Sequence, residues 1–277
     1  MRDVRRLLLA AGVVPLCFGA AAVVPIEAQP LRPPPAVDVS TRDPFGNEVV
    51  DEIFFAGRVA EAAQRLDIRL ERDSADVEAL WRGARTSLVA GILEPDPDLA
   101  EAWFKRAGAL GEAAVTLRAD DPEVLYWAAA SLGREALQHG PRTSTRLIQR
   151  MWDLTHRILE IEPEHAGAHN TLGKLNYEVM SLSGFERFVG RLLFRIDPLR
   201  EATWDAAVAH HRRAFAADPE TVLFGRDLGE TLLATGRDAE AREVWSKTLA
   251  LPSVFPVDER FKHEIREMMG VDDSGGR

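Results

Sequence analysis

The sequence predicts an all-α fold, a solenoid of stacked helical hairpins that carries one inserted amphipathic helix. Three observations predict it. From about Asn47 onward apolar residues recur at spacings of three and four, the period of a helix with one buried face, and no segment sustains the period-two alternation of a strand. A pattern of small and large residues comes back along the chain, most clearly as Leu228-Gly229, Leu232, Gly236, Ala241, Trp245 and Leu249 with Pro252 beyond. The composition is 46% hydrophobic with only 2 tyrosines and abundant alanine, which loses no side-chain entropy in a helix.

The N-terminal residues come before that pattern. Arg2, Arg5 and Arg6 precede an apolar run over residues 7–24, and Ala28 stands before Gln29. A basic start, an apolar stretch and a small residue at the end form a secretory signal cut after Ala28, which makes the mature chain exported or periplasmic. Left uncleaved, a run of about 18 residues is long enough for an N-terminal membrane anchor, and membrane association then goes through residues 7–24. Residues 29–46 hold Pro30, Pro33, Pro34, Pro35 and Pro44, a proline-rich linker in extended conformation. The helical repeats occupy 47–270, and 271–277 form a disordered tail.

Within the repeats, Gly57, Ala62, Leu66 and Leu70 mark a second helix that ends near Ser74. Gly133 marks a first helix whose partner runs from Arg142 to Glu160. Leu172-Gly173 marks another, paired with the helix of Ala207, Ala214 and Phe215. The offsets around Leu228-Gly229 resemble the tetratricopeptide pattern, in which small residues let two antiparallel helices touch. Asp121-Pro122-Glu123 and Asp218-Pro219-Glu220 each supply an N-cap acceptor, a proline for the first helical position and an acid for the first turn, with Glu162-Pro163-Glu164 a weaker version. Boundaries near 74, 122, 163, 219 and 252 lie 48, 41, 56 and 33 residues apart, so only the last interval matches the ideal repeat of about 34. Four hairpins with longer helices and one standard hairpin account for these intervals. Six tryptophans (Trp81, Trp103, Trp127, Trp152, Trp204, Trp245) serve mainly as core.

The longest interval contains the insertion. Gly173 and Ala207 stand 34 residues apart where a standard repeat leaves about 12. Ser183 and Glu186 make a capping box. Phe185, Phe188, Val189, Leu192 and Leu193 follow at helical spacing, flanked by Arg187, Arg191 and Arg195. Such a helix folds back on the solenoid, binds a partner or lies on a membrane surface.

The stretch 169–179, His-Asn-Thr-Leu-Gly-Lys-Leu-Asn-Tyr-Glu-Val, together with Leu182-Ser183-Gly184-Phe185-Glu186-Arg187 and Leu192-Leu193-Phe194, resembles the regulator of microtubule dynamics family. The resemblance extends over roughly residues 50–270, through Leu132-Gly133-Arg134, Trp204, Ala214 and Leu251-Pro252, and is most specific at 165–194. It implies a tetratricopeptide-like fold, in some members an N-terminal anchor, and association with microtubules and organelle contacts. Gly184 stands where the family usually has an aromatic residue. An exported chain does not meet cytoplasmic tubulin, so the resemblance and the N-terminal signal point to different partners.

No phosphate-binding loop, dinucleotide fingerprint or nucleophile elbow is present. The only cysteine is Cys17, which leaves the repeats without thiol chemistry or disulfides. The formal net charge of −10 repels nucleic-acid backbones. His165 and His169 have the i, i+4 spacing that holds a metal from one helix face, but the sequence between them is Ala-Gly-Ala, without the glutamate of a zinc hydrolase. His210 and His211 are adjacent and point to different faces. The sequence therefore predicts a scaffold without cofactor or catalytic group that takes a peptide segment or helix of another protein. Its expected contact residues are His169, Tyr177 and Glu178 in the groove, and Phe185, Arg187, Phe188 and Arg191 on the insertion.

Overall fold

The structure, a computed structural model, describes residues 43–184 and 196–271. Among them are twelve α-helices and no strand. They pair in chain order: α1 (Asn47–Phe55) with α2 (Val59–Arg72), α3 (Val77–Leu93) with α4 (Pro97–Leu117), and α5 (Pro122–Ala136) with α6 (Pro141–Ile161). Then α7 (Ala166–Ser181) pairs with α9 (Trp204–Ala217), and α10 (Val222–Ala234) with α11 (Asp238–Leu249); the short α8 (Asp197–Glu201) precedes α9 and α12 (Asp258–Met269) packs on the last pair. These are the five expected hairpins. Only the first departs from the expected longer helices, since α1 has 9 residues.

The helices start and stop where local chemistry dictates. Asp121 caps α5, its side chain accepting from Glu123 N at 3.0 Å, and Pro122 takes the first position, where its missing N–H costs nothing. Asp96-Pro97-Asp98 does the same for α4. At Asp218-Pro219-Glu220 the expectation fails. Asp218 closes α9, its carboxylate accepts from Glu220 N and Thr221 Oγ1, and α10 begins only at Val222. Glu162-Pro163-Glu164 likewise follows α6, and His165 caps α7 through Nδ1, which accepts from Ala168 N at 3.1 Å. In both turns the proline belongs to the connection, because two further residues turn the chain before the next helix axis is reached. Gly57 and Gly236 adopt left-handed backbone (φ +78° and +74°) in the tight turns of the first and last hairpins, where a side chain would be strained.

Glycine also sets how closely the hairpins close. A Cβ on Gly229 would enter the indole of Trp245, and one on Gly173 would enter the ring of His211. A Cβ on Gly111 would come within 2.7 Å of Ala128 Cα, so α4 and α5 meet almost backbone to backbone. Around these approaches Trp245 is 1% exposed and Trp81 and Trp127 8%. Those three tryptophans are core as expected, whereas Trp103, Trp152 and Trp204 are half-buried.

The insertion lies inside the α7–α9 hairpin, as predicted. Its amphipathic segment, 185–195, is outside the described residues. On its return Pro198 and Ala202 are buried and Thr203 N donates to Asn176 Oδ1 at 3.1 Å, which ties the detour back to α7. Among the described residues no helix is long and apolar enough to cross a membrane; residues 7–24 are not among them.

Candidate binding groove

First helices of successive hairpins touch one another (α3 with α5, α5 with α7, α7 with α10, and α10 with α12), while second helices pack mainly on first ones. The first helices therefore line the inner, concave side. Three of them carry a Leu-Gly pair at their close approach, and the residue after each pair faces the groove: Arg134 on α5, Lys174 on α7 and Glu230 on α10.

Lys174 and Glu230 join the two helices. Lys174 Nζ lies 2.9 Å from Glu230 Oε2 and 3.1 Å from Glu178 Oε1. Asn170 Nδ2, one turn back on α7, donates to Asp227 Oδ2 at 2.9 Å. Arg226 Nη1 holds Asp227 Oδ1 at 2.6 Å, and its Nη2 holds Glu264 Oε2 on α12 at 2.9 Å. Burial works against the Asp227 carboxylate, but the charges of Arg226 and Lys174 and the hydrogen bond from Asn170 outweigh it and hold its pKa at about 2. Burial also opposes the charge on Lys174, yet Glu230 and Glu178 raise its pKa above that of an ordinary lysine. Three helices are thus joined by paired charges, with Arg226 Nε and Asn170 Oδ1 left without a hydrogen-bond partner among the described residues.

Tyr177 and Glu178 belong to this ladder. The Tyr177 ring lies 4.6 Å under Lys174 Nζ and packs edge-on to Trp204 at 5.7 Å. Burial and then the Glu230 charge push its hydroxyl up to about 12. His169, the third residue expected in the groove, does not join them. Eight residues at 100° per residue leave about 80° of rotation between His169 and Tyr177, and that turn faces His169 to α9. There it is 1% exposed; its Nε2 donates to Pro163 O at 2.9 Å and its Nδ1 is 3.0 Å from Nδ1 of His210. Burial lowers the pKa of His169, and burial together with His169 lowers His210 to about 4, so two neutral rings share one hydrogen bond. His211 points the other way, to Thr231 Oγ1 at 2.8 Å. His165 packs on the Tyr126 ring, away from His169, so the two do not converge on a metal. Among the described residues no group of three or more His, Cys, Asp or Glu is placed to hold one. Phe185, Arg187, Phe188 and Arg191 lie outside the described residues.

Arg134 differs from its counterparts. It is open to water, yet surrounding protein lowers its guanidinium pKa, with Arg226 next in effect. The acids whose charge reaches it, Glu264 and Asp227, are already bonded to Arg226, and among the described residues Arg134 makes no ion pair of its own.

A second charged cluster lines the other end of the groove. Arg82 bonds Asp51 Oδ2 at 3.0 Å and Glu78 Oε2 at 2.6 Å, while Arg85 bonds Asp51 Oδ1 at 2.5 Å and lies 4.1 Å over the Phe54 ring. Burial opposes the Glu78 charge, but hydrogen bonds from Arg118, Arg82 and Trp81 hold its pKa at about 2.

A solved structure shares this architecture. A thermophilic tetratricopeptide protein of Thermus thermophilus, TTC0263, superposes with a TM-score of 0.56 at 19% identity, covering 80% of this chain and 96% of that one. MamA from Desulfovibrio magneticus RS-1 gives 0.43 at 16% identity over 74% of this chain and 91% of its own. Regulator of microtubule dynamics protein 1 of Caenorhabditis elegans is 26% identical over 123 residues, 43% of this chain; the chain spans about half of that relative's length, 52%. The family described as regulator of microtubule dynamics protein 1-3 matches residues 48–271, nearly the whole repeat region. With that match and with five helical hairpins behind it, this chain is a tetratricopeptide-like helical solenoid and belongs to the regulator of microtubule dynamics protein 1-3 family.

Proposed function

We propose that this chain recognises a segment of a partner protein along its concave face and carries out no chemistry on it. The observation that carries this reading is the ladder of Arg134, Lys174 and Glu230, repeated in register after each Leu-Gly pair. Two rungs are satisfied by internal ion pairs, and among the described residues the third, Arg134, is not. A partner that lays an Asp or Glu side chain against Arg134 completes the third rung with a charge-assisted hydrogen bond. Catalysis has little support in this groove, because its acids are bound to cations and its buried histidines are held neutral.

Residues 1–28 decide which partners the groove meets. We propose export, with cleavage after Ala28, and an uncleaved anchor over residues 7–24 as the other outcome. The intact mass of the chain recovered from its native source tests this, since a chain starting at Gln29 excludes the anchor. Microtubule association, which the family's description carries, stays with those relatives unless the chain is retained in a compartment that holds tubulin.

The groove is tested by charge reversal. Arg134→Glu is expected to lower capture of an enriched native partner by about tenfold, the loss of one charge-assisted contact, whereas Arg146→Glu on α6 leaves capture unchanged. Equal capture by Arg134→Glu and wild type contradicts the reading.

A further inference from the structure

We infer that residues 251–261 form a latch that closes the solenoid on itself and controls access to the concave face. Phe255, in the loop before α12, stands edge-on to two rings of the first helix, with centroids 5.3 Å from Phe55 and 6.2 Å from Phe54. Val257 and Phe261 are buried in the same cluster as Val50, Ile53 and Phe54. Arg260 Nη1 donates to the carbonyl of Ile92, at the far end of α3 and 168 residues away in the chain. The last turn of the solenoid therefore meets the first, and the inner face is enclosed.

The latch is built as a preformed piece. Asp258 Oδ2 accepts from both Val254 N and Phe255 N at 2.8 Å, which fixes the loop that presents the Phe255 ring. Lys262, 5% exposed, donates through Nζ to Leu251 O at 2.5 Å and to Ser253 Oγ at 2.9 Å. Each of these bonds lies within 251–262, so the loop keeps its shape when it leaves α1. The latch contributes Leu251, Phe255, Val257 and Phe261 to this seam, beside Val222 and Leu223 of α10, and one hydrogen bond to backbone. It rests on a 9-residue terminal helix whose N-cap, Gly46, offers no side-chain bond. Contacts of this kind open below the global unfolding free energy.

Arg260 couples the seam to the groove. Besides reaching Ile92 it bonds Glu264 at 3.4 Å, the acid that also holds Arg226 of the groove ladder. While the seam is closed, Phe255 and Arg260 cover the approach to the inner face between α1 and α12. When Phe255 leaves its place, the groove opens along its side. The consequence for partner binding rests on the reading of the groove above; the closure and its opening do not.

The test measures access without any partner. In a Cys17→Ser background, Arg134→Cys is labelled with a small methanethiosulfonate and with a polyethylene-glycol maleimide, and Arg146→Cys serves as the outer control. Adding Phe255→Asp is expected to speed the bulky reagent at position 134 by about tenfold, which is what loss of one aromatic contact does to a local opening equilibrium, with little change for the small reagent and none at position 146. Arg260→Ala, which removes only the tie to Ile92, is expected to give a smaller rise in the same direction and carries the test if Phe255→Asp fails to fold. A bulky-reagent rate at 134 that neither variant changes, or a rise shared equally by 146, overturns the latch. Because no partner takes part, that failure leaves the groove's binding role standing, and a groove without a partner leaves the latch standing.

Discussion

Asp227 is 2% exposed and bonded to Arg226 and Asn170, so three helices depend on one carboxylate. Asp227→Ala leaves the Asn170 amide without its acceptor and Arg226 with only Glu230 and Glu264, and is expected to cost roughly 2–3 kcal/mol, read as a shift in the urea midpoint. An unchanged midpoint contradicts the ladder. His211 gives a pH signature. Burial, the first cause, lowers its pKa from an ordinary 6.5 to about 4; Lys174 and His210 add to the effect, and Asp227 and Glu230 oppose it. The folded chain keeps the ring neutral while the unfolded chain takes up a proton below about 6.5. Its contribution is therefore complete above about pH 6.5 and is lost as pH falls toward 4, on the order of 3 kcal/mol in all. His210, also lowered to about 4, adds in the same direction. Stability is expected to be lower at pH 5 than at pH 7, and His211→Asn, which keeps a donor near Nδ1, to flatten the difference. At this scale the sequence is only partly legible. Tyr177 and Glu178 stand out in it, whereas the strongest groove residues, Lys174, Arg226, Asp227 and Glu230, do not. Their signal is present as charges placed immediately after or beside each Leu-Gly pair. His169 departs from its expected place because a two-turn separation is not the same face: 3.6 residues per turn does not return to it after eight.

The helices follow from their ends and their small residues. Asp121-Pro122-Glu123 is legible because its chemistry is local, and Asp96-Pro97-Asp98 carries the same signature. Asp218-Pro219-Glu220 has it too but opens no helix directly, since it must first turn the chain between two hairpins. Only the tertiary path separates these cases. Asp121→Ala is thus expected to cost about 1 kcal/mol through loss of the α5 cap, measured by thermal melting. Gly173→Ala is expected to cost more, because its Cβ meets the buried His211 ring and cannot be accommodated without moving α7 from α9. A Gly173→Ala protein as stable as wild type contradicts the close packing of that hairpin. The insertion is legible as an excess of residues between Gly173 and Ala207, and the short α8 with buried Pro198 and Ala202 is where the chain rejoins the solenoid.

At the scale of the molecule, five hairpins and a final helix close on themselves through Phe255, Val257, Phe261 and Arg260. None of this closure is written in periodicity, because it depends on how a small rotation per hairpin adds up over the whole stack. The stack itself is legible from the Leu-Gly spacing and the family resemblance. The central claim is that the enclosed inner face, and not the outer one, does the recognising. A photo-crosslinking residue placed in turn at positions 134, 174 and 146, with the chain expressed in its native source, tests it most directly. Adducts to a common partner at 134 and 174 with none at 146 are the predicted result. Adducts at 146 alone, or in equal yield at all three positions, would contradict it.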